Sequence, residues 1–276
     1  MEVFDHKIIG LLTDFGSKGQ HYVASMKAVI LKINSQIKII DISHEITPYS
    51  ILEASYILET TYKYFPNGTV FIIVVDPGVG TSREIIGLKI NSNHYFIGPN
   101  NGIFSNTLIK NVVECIEIQN NEFFCKPTSI TFHGRDIMAP TAAYLLSGVQ
   151  LNKFGPKFDL NNLKKLKMIY DINFEKKTIN CLIQYIDSFG NGTTNIPIIN
   201  NKIQHSELYV NEGRKINISI RGHNYKGVFT SHFSKVPIKS LLFLVGSTGF
   251  LEISINQGNA SQLLGFNVGD CITIRL

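Results

Sequence analysis

The first half of the chain switches repeatedly between two hydrophobic periods. Lys7–Thr13 is a short apolar run of the kind a buried strand needs. Tyr22, Val23, Met26, Val29, Ile30 and Ile33 then recur at the spacing of one helix face. Ile37–Ile42 reads as a second strand, and Ile51, Ala54, Ser55, Leu58 and Tyr62 as a second helix face. Thr69–Val75 is a third strand, bounded by the turn signals Pro66-Asn67-Gly68 and Asp76-Pro77-Gly78. Strand–helix–strand–helix–strand predicts an α/β layer with a mostly parallel sheet and right-handed crossovers. Ile85–Ile90 and His94–Ile97, parted by Asn91-Ser92-Asn93, predict a hairpin added to that sheet. Val112–Ile118 is one more strand. Asp136–Leu146 is a helix, with Ile137, Ala142, Leu145 and Leu146 on its apolar side.

The second half changes character. Helical periodicity largely disappears, and β-rich runs follow at Thr178–Ile186, Lys215–Ile220, Tyr225–Thr230, Leu241–Val245, Phe250–Ile255 and Cys271–Arg275. Gly, Asn and Pro separate them, as in a small all-β barrel or sandwich. The boundary falls near residues 160–175, which predicts an α/β domain over 1–165 and a smaller β-barrel-like domain over 166–276. At 276 residues the chain is long enough for two cores, since single cores stop growing at about 250–300 residues.

Composition narrows the function classes. Hydrophobic residues make up 44% and charged residues 17%, the reverse of a disordered chain. The net charge of +5 owes much to Lys153, Lys157, Lys164, Lys165, Lys167, Lys176 and Lys177. These read as a solvated lysine-rich linker. They lack the arginines and interleaved aromatics of a nucleic-acid reader, so no nucleic-acid partner is expected. Cys115, Cys125, Cys181 and Cys271 form no C-x-x-C pair. No run approaches the roughly 20 apolar residues that span a bilayer, and the first apolar run stops at Asp14. The expectation is a cytoplasmic protein with reduced thiols and no membrane partner.

Chemistry gathers at the strand ends, where α/β sheets bind ligands. The first strand ends in Thr13-Asp14-Phe15-Gly16 and the third in Asp76-Pro77-Gly78-Val79-Gly80-Thr81-Ser82-Arg83. Two carboxylates at adjacent strand ends, with glycines admitting a ligand close to backbone, make a site-like arrangement. Either Asp alone would read equally well as a turn cap. A third cluster, Thr131-Phe132-His133-Gly134-Arg135-Asp136, leads into a helix that Asp136 could cap. His133 is a candidate acid/base group because its charge changes near neutral pH. His133 and Asp136 could instead share a metal, but no third ligand stands at metal spacing. Gly78-Val79-Gly80 lacks the third glycine of a dinucleotide loop, and there is no Walker loop or G-x-S-x-G elbow. In the second half, Asp187-Ser188-Phe189-Gly190-Asn191, Ser231-His232-Phe233 and Gly246-Ser247-Thr248-Gly249 offer rings, an amide and hydroxyls, which suit a purine. Hairpin turns carrying core aromatics are the plainer reading.

Taken in order, Thr13-Asp14-Phe15-Gly16, Tyr22-Val23-Ala24-Ser25-Met26-Lys27, Asp76 to Arg83, Gly98-Pro99-Asn100-Asn101-Gly102, Thr131 to Asp136, Asp187 to Asn191 and Leu251-Glu252-Ile253 resemble the S-adenosylmethionine hydroxide adenosyltransferases, relatives of the fluorinase and chlorinase. The resemblance implies an enzyme in which water or hydroxide attacks C5′ of S-adenosylmethionine, releasing L-methionine and leaving adenosine. It implies no cofactor, S-adenosylmethionine being the substrate. The catalytic set maps onto Asp76, Arg83 and His133. Asp76 or His133 would take or share the proton of water, and Arg83 would hold hydroxide character by charge. By the same resemblance Asp14 grips the ribose hydroxyls, Tyr49, Phe132 and Gly134 belong to the ribose and reaction-centre pocket, Phe189, Asn191 and Phe233 frame the adenine, and Ser247 holds the methionine end. The expected assembly is a homotrimer with each site between the α/β domain of one subunit and the β domain of the next.

Halogenating relatives carry tyrosine where Asp76 and His133 stand and serine at the Gly134 position, so their halide pocket is not matched. A halide-using synthase and a non-catalytic S-adenosylmethionine or adenosine binder remain the alternatives. One departure concerns the substrate's amino-acid end. The family usually places an aspartate shortly before the Tyr-Val pair, and here Gln20 occupies that place. An amide accepts a hydrogen bond but supplies no charge, and a charge-assisted bond is roughly twice as strong.

Overall fold

In a computed structural model, which describes residues 6–104 and 106–276, the alternating runs of the first half fold as one six-stranded sheet. Its strands are β1 (Ile8–Thr13), β2 (Lys38–Ser43), β3 (Val70–Val74), β4 (Ile85–Ile90), β5 (Tyr95–Pro99) and β6 (Val112–Glu117). They lie in the order β2-β1-β3-β5-β4-β6. β2, β1, β3 and β5 are parallel neighbours, and β4 runs antiparallel between β5 and β6. The hairpin expected at Asn91–Asn93 is there, with Asn93 in the left-handed region at φ 59°.

Every residue of β1 and β3 is buried, because helices cover both faces. Alternate residues of β3 serve the two layers. Val70, Ile72 and Val74 pack with Met26, Ile30 and Ala142, whereas Phe71 and Ile73, with Val75 just beyond the strand, pack with Ala54 and Leu58. The helices are α1 (Gln20–Ile33), α2 (Ile51–Thr61), α3 (Asn106–Lys110) and α4 (Ala139–Leu146). A single π-helical turn, Gly134–Met138, leads directly into α4. The helical conformation therefore starts two residues before the expected Asp136, and Asp136 does not cap it. Its carboxylate is instead held by Arg135 (Nε–Oδ1 2.6 Å, Nη2–Oδ2 2.8 Å) and by the Ser129 amide at 2.8 Å.

The chain divides into two compact units, the first ending at Leu166 and the second spanning Lys167–Leu276. The second unit contains β7 (Tyr170–Asn173), β8 (Thr178–Ile186), β9 (Gly192–Ile199), β10 (Lys202–Ile203), β11 (Lys215–Ile220), β12 (His223–Phe229), β13 (Leu241–Val245), β14 (Phe250–Ile255) and β15 (Cys271–Arg275), with the short helix α5 (Ala260–Leu264). Because β8 pairs with β9, seven strands close in the order β9-β14-β13-β12-β11-β15-β8. Closure removes free sheet edges, and it resolves barrel or sandwich in favour of a barrel.

Pattern reading missed the short strands β7 and β10 and, among the seven barrel strands, β9. In β9, Thr194 and Asn195 are buried and would break an apolar strand signal. Both are satisfied by side-chain bonds to backbone. Thr194 Oγ1 donates to the Leu251 carbonyl at 2.8 Å, and Asn195 accepts from the Leu182 amide at 2.8 Å.

Candidate active site

Thr13 and Val74 are register partners on neighbouring parallel strands, so Asp14 and Asp76 leave the sheet at the same edge. Between them opens a cavity of about 380 Å³, walled by Asp14, Phe15, Tyr22, Tyr49, Asp76, Phe132, His133 and Gly134. That volume suits a small ligand. The Tyr49 amide donates to Asp14 Oδ2 at 2.8 Å, and Tyr49 takes φ 67° to reach it. Burial pushes the Asp14 carboxyl above its ordinary range, the Tyr49 bond opposes that, and the Asp76 charge adds to it.

Arg83 joins Asp76 to His133. Its Nε lies 2.9 Å from each Asp76 oxygen and its Nη2 2.5 Å from Oδ2. The Arg83 and Asp76 side chains are 6% and 5% exposed, so this ion pair is shielded from water. Arg83 Nη2 also stands 2.9 Å from His133 Nδ1. A guanidinium only donates, so His133 Nδ1 accepts and the neutral ring carries its proton on Nε2. Burial pushes the His133 pKa below its usual value, and the Arg83 charge pushes it further. Both effects favour that neutral, Nε2-protonated ring. Arg83 itself is absent from the cavity wall; it stands behind the two residues that do line it.

The local chain explains this placement. Gly80, at φ 80°, lies under the Ile130 backbone oxygen, where a Cβ would come within 2.9 Å, so the Asp76–Arg83 turn can close against the 125–131 loop. Asp136 holds that loop through Ser129, and Arg135 takes both of its carboxylate oxygens. Among the described residues no group of three His, Cys, Asp or Glu side chains converges on a common point.

Gln20 begins α1, and its Nε2 donates to the Gly16 carbonyl at 3.5 Å; it is exposed and not part of the cavity wall. The other candidates lie in the second unit. Asp187 organises the β8–β9 turn, accepting from the Phe189 and Asn191 amides and from Asn191 Nδ2, each at 2.9 Å. Asn191 is thereby fixed with its amide oxygen spare, while the Phe189 ring is 74% exposed. Phe233 follows β12, and the exposed Ser247 sits in the β13–β14 turn. The Asp187–Asn191 turn adjoins the start of β9, whereas Phe250, just after the Ser247 turn, pairs with Pro197 near its end. The sequence reading gave no role to Phe15 or Tyr22, although both wall the cavity. Their rings pack on each other at 5.5 Å and on Phe132 at 5.9 and 5.3 Å, a cluster that only the fold assembles.

An α/β unit with a shielded Asp–Arg–His group at its strand ends, followed by a closed barrel, defines a two-unit small-molecule enzyme. Comparison with known proteins gives the family. The chain matches the SAM hydroxide adenosyltransferase N-terminal domain over residues 9–155 and the corresponding C-terminal domain over residues 181–273, and it belongs to that family. It is 36% identical to the (R)-S-adenosyl-L-methionine hydrolase of Methanocaldococcus jannaschii, over 97% of this chain and 95% of that one. It is 25% identical to a fluorinase of Nocardia brasiliensis, over 98% and 97% of the two chains. The crystal structure of an uncharacterized conserved protein from Thermotoga maritima superposes with a TM-score of 0.86 at 39% identity, covering 97% of this chain and all of that one.

Proposed function

We propose that this protein hydrolyses S-adenosylmethionine to adenosine and L-methionine by attack of water on the ribose C5′. The observation that carries this reading is the unbroken Asp76–Arg83–His133 set, two of whose members face the cavity. The sulfonium leaves as a neutral thioether, so departure needs no acid. The demand is for a competent nucleophile. One O–H bond of water breaks as its oxygen bonds C5′, the C5′–S electron pair goes to sulfur, and the proton passes to a base. His133 cannot accept at Nε2, which already bears hydrogen, and Nδ1 faces Arg83. Asp76 is therefore the acceptor, while His133 orients the water through Nε2–H. Arg83 holds both side chains in place and offsets the developing negative charge.

Asp14 accepts hydrogen bonds from the ribose hydroxyls, with Tyr49 and Phe132 against the sugar. Phe189, Asn191 and Phe233 take the adenine, and Gln20 and Ser247 the methionine end. The resemblance supports a cytoplasmic homotrimer that completes each site from two subunits. No helix among the described residues is long and apolar enough to cross a membrane. Water rather than halide is favoured by Gly134, where a Cβ would meet Val74 Cγ1 at 3.0 Å, so the serine of the halogenating relatives would crowd that strand residue. Incubation with S-adenosylmethionine, with and without chloride or fluoride, should yield adenosine at the same rate. Halogenated nucleoside as the main product would refute this reading, and absence of adenosine would favour a binding protein.

A further inference from the structure

One polar chain runs from the surface at Lys27 and Asp41, whose side chains are 32% and 41% exposed, to the buried His44 and Thr13 beside the Asp14 turn. It starts on α1, where Lys27 Nζ meets Asp41 Oδ2 of β2 at 2.6 Å. Asp41 Oδ1 is 3.1 Å from His44 Nε2, a close approach off the line of a hydrogen bond. His44 Nδ1 stands 2.9 Å from Thr13 Oγ1, the fully buried hydroxyl that ends β1. That hydroxyl also accepts from the Phe15 amide at 3.4 Å. The His44 carbonyl accepts from the Gly16 amide at 2.7 Å. His44 thus grips the Thr13–Gly16 turn on both sides of Asp14, once by its ring and once by its backbone. The Asp14 carboxylate is in turn tied to the Tyr49 amide, five residues beyond His44.

An apolar side chain could fill the same space, and a buried polar group costs stability unless it is bonded. What the polar chain adds is direction: it leaves the Asp14 turn one arrangement relative to α1 and β2. Asp41 stays ionised, because burial raises its carboxyl but the Lys27 and His44 contacts outweigh that and hold it below its usual range. The anion favours the proton on Nε2, so Nδ1 accepts from Thr13 and the turn has a fixed donor–acceptor sense.

We propose that His44, oriented by Asp41 and Lys27, is a positioning residue that sets the Asp14 carboxylate for the hydroxyls of a nucleoside. The inference rests on the reading of Asp14 as the ribose acceptor. The test uses the full chain, with steady-state kinetics on S-adenosylmethionine and calorimetric binding of adenosine. His44→Leu should raise KM and weaken adenosine binding by about tenfold, the worth of roughly one charge-assisted hydrogen bond, with kcat within about threefold of the parent. His44→Asn keeps an acceptor at the Nδ1 position and should restore most of that loss. Thr13→Val, which removes only the hydroxyl, should move KM in the same direction and serves if His44→Leu does not fold. Asp14→Asn is run beside them. A raised KM in Asp14→Asn with an unchanged KM in folded His44→Leu or Thr13→Val overturns the positioning role alone. So does a His44→Asn variant no better than His44→Leu. An unchanged KM and adenosine affinity in Asp14→Asn overturn the ribose reading and the inference with it.

Discussion

Arg83 and Asp76 should behave as one catalytic unit, and a double-mutant cycle measures whether they do. Arg83→Met keeps an unbranched side chain and removes all donors to both Asp76 oxygens and to His133 Nδ1. Asp76 would then be an unpartnered carboxylate at a position 5% exposed. Breaking a buried pair from one side costs about 3–5 kcal/mol of stability. Loss of a preorganised charge-stabilising group costs on the order of 10²–10³ in kcat. Asp76→Asn removes the proposed proton acceptor and should lose at least as much. If the residues act together, Arg83→Met/Asp76→Asn turns over no more slowly than the worse single variant. If they act independently, the losses multiply to roughly 10⁴–10⁶. The double variant should also be more stable than Arg83→Met, because no charge is left buried alone. The assay is chromatographic adenosine formation at saturating S-adenosylmethionine, with adenosine affinity measured separately to show that the pocket survives. Multiplying losses, or normal turnover in Arg83→Met, would refute the coupling.

Two further predictions follow from local geometry and titration. The folded-state pKa of His133 is lowered, so the folded protein binds fewer protons than the unfolded chain between that lowered pKa and the ordinary value of 6.5. His133 therefore carries no stability penalty above about 6.5, and its penalty grows as pH falls through that window; kcat should fall over the same acidic range, and a His133→Gln variant should lose that limb of the profile. Gly134→Ala places a methyl 3.0 Å from Val74 Cγ1, on a β-branched residue fixed in a strand. Overpacking of this kind costs about 1–3 kcal/mol, to be read as a lower urea midpoint at unchanged slope.

The alternation of periods made the parallel sheet legible, because β1 and β3 are apolar throughout and the helices show one apolar face each. Six barrel strands were also visible, but β9 was not. Its buried Thr194 and Asn195 are bonded to distant backbone at Leu251 and Leu182, and no local period announces such partners. The Asp136 turn misled for a related reason. Asp before a helix reads as a cap, yet here a neighbouring arginine and a loop amide claim both oxygens. At the site, Asp14, Asp76 and Arg83 stood out as polar residues at strand ends. That Arg83 bonds His133, fifty residues later, is a property of the fold, and it decides which ring nitrogen bears the proton. The Lys27–Asp41–His44–Thr13 chain left no signal, since each member has an ordinary local excuse on its own element.

The central claim is that water oxygen ends up on C5′ of the nucleoside. Hydrolysis of S-adenosylmethionine in ¹⁸O-enriched water, followed by mass spectrometry of both products, tests it directly. The prediction is one ¹⁸O in the 5′-hydroxyl of adenosine and none in methionine. Unlabelled adenosine, or label appearing in methionine, would contradict attack of water at C5′.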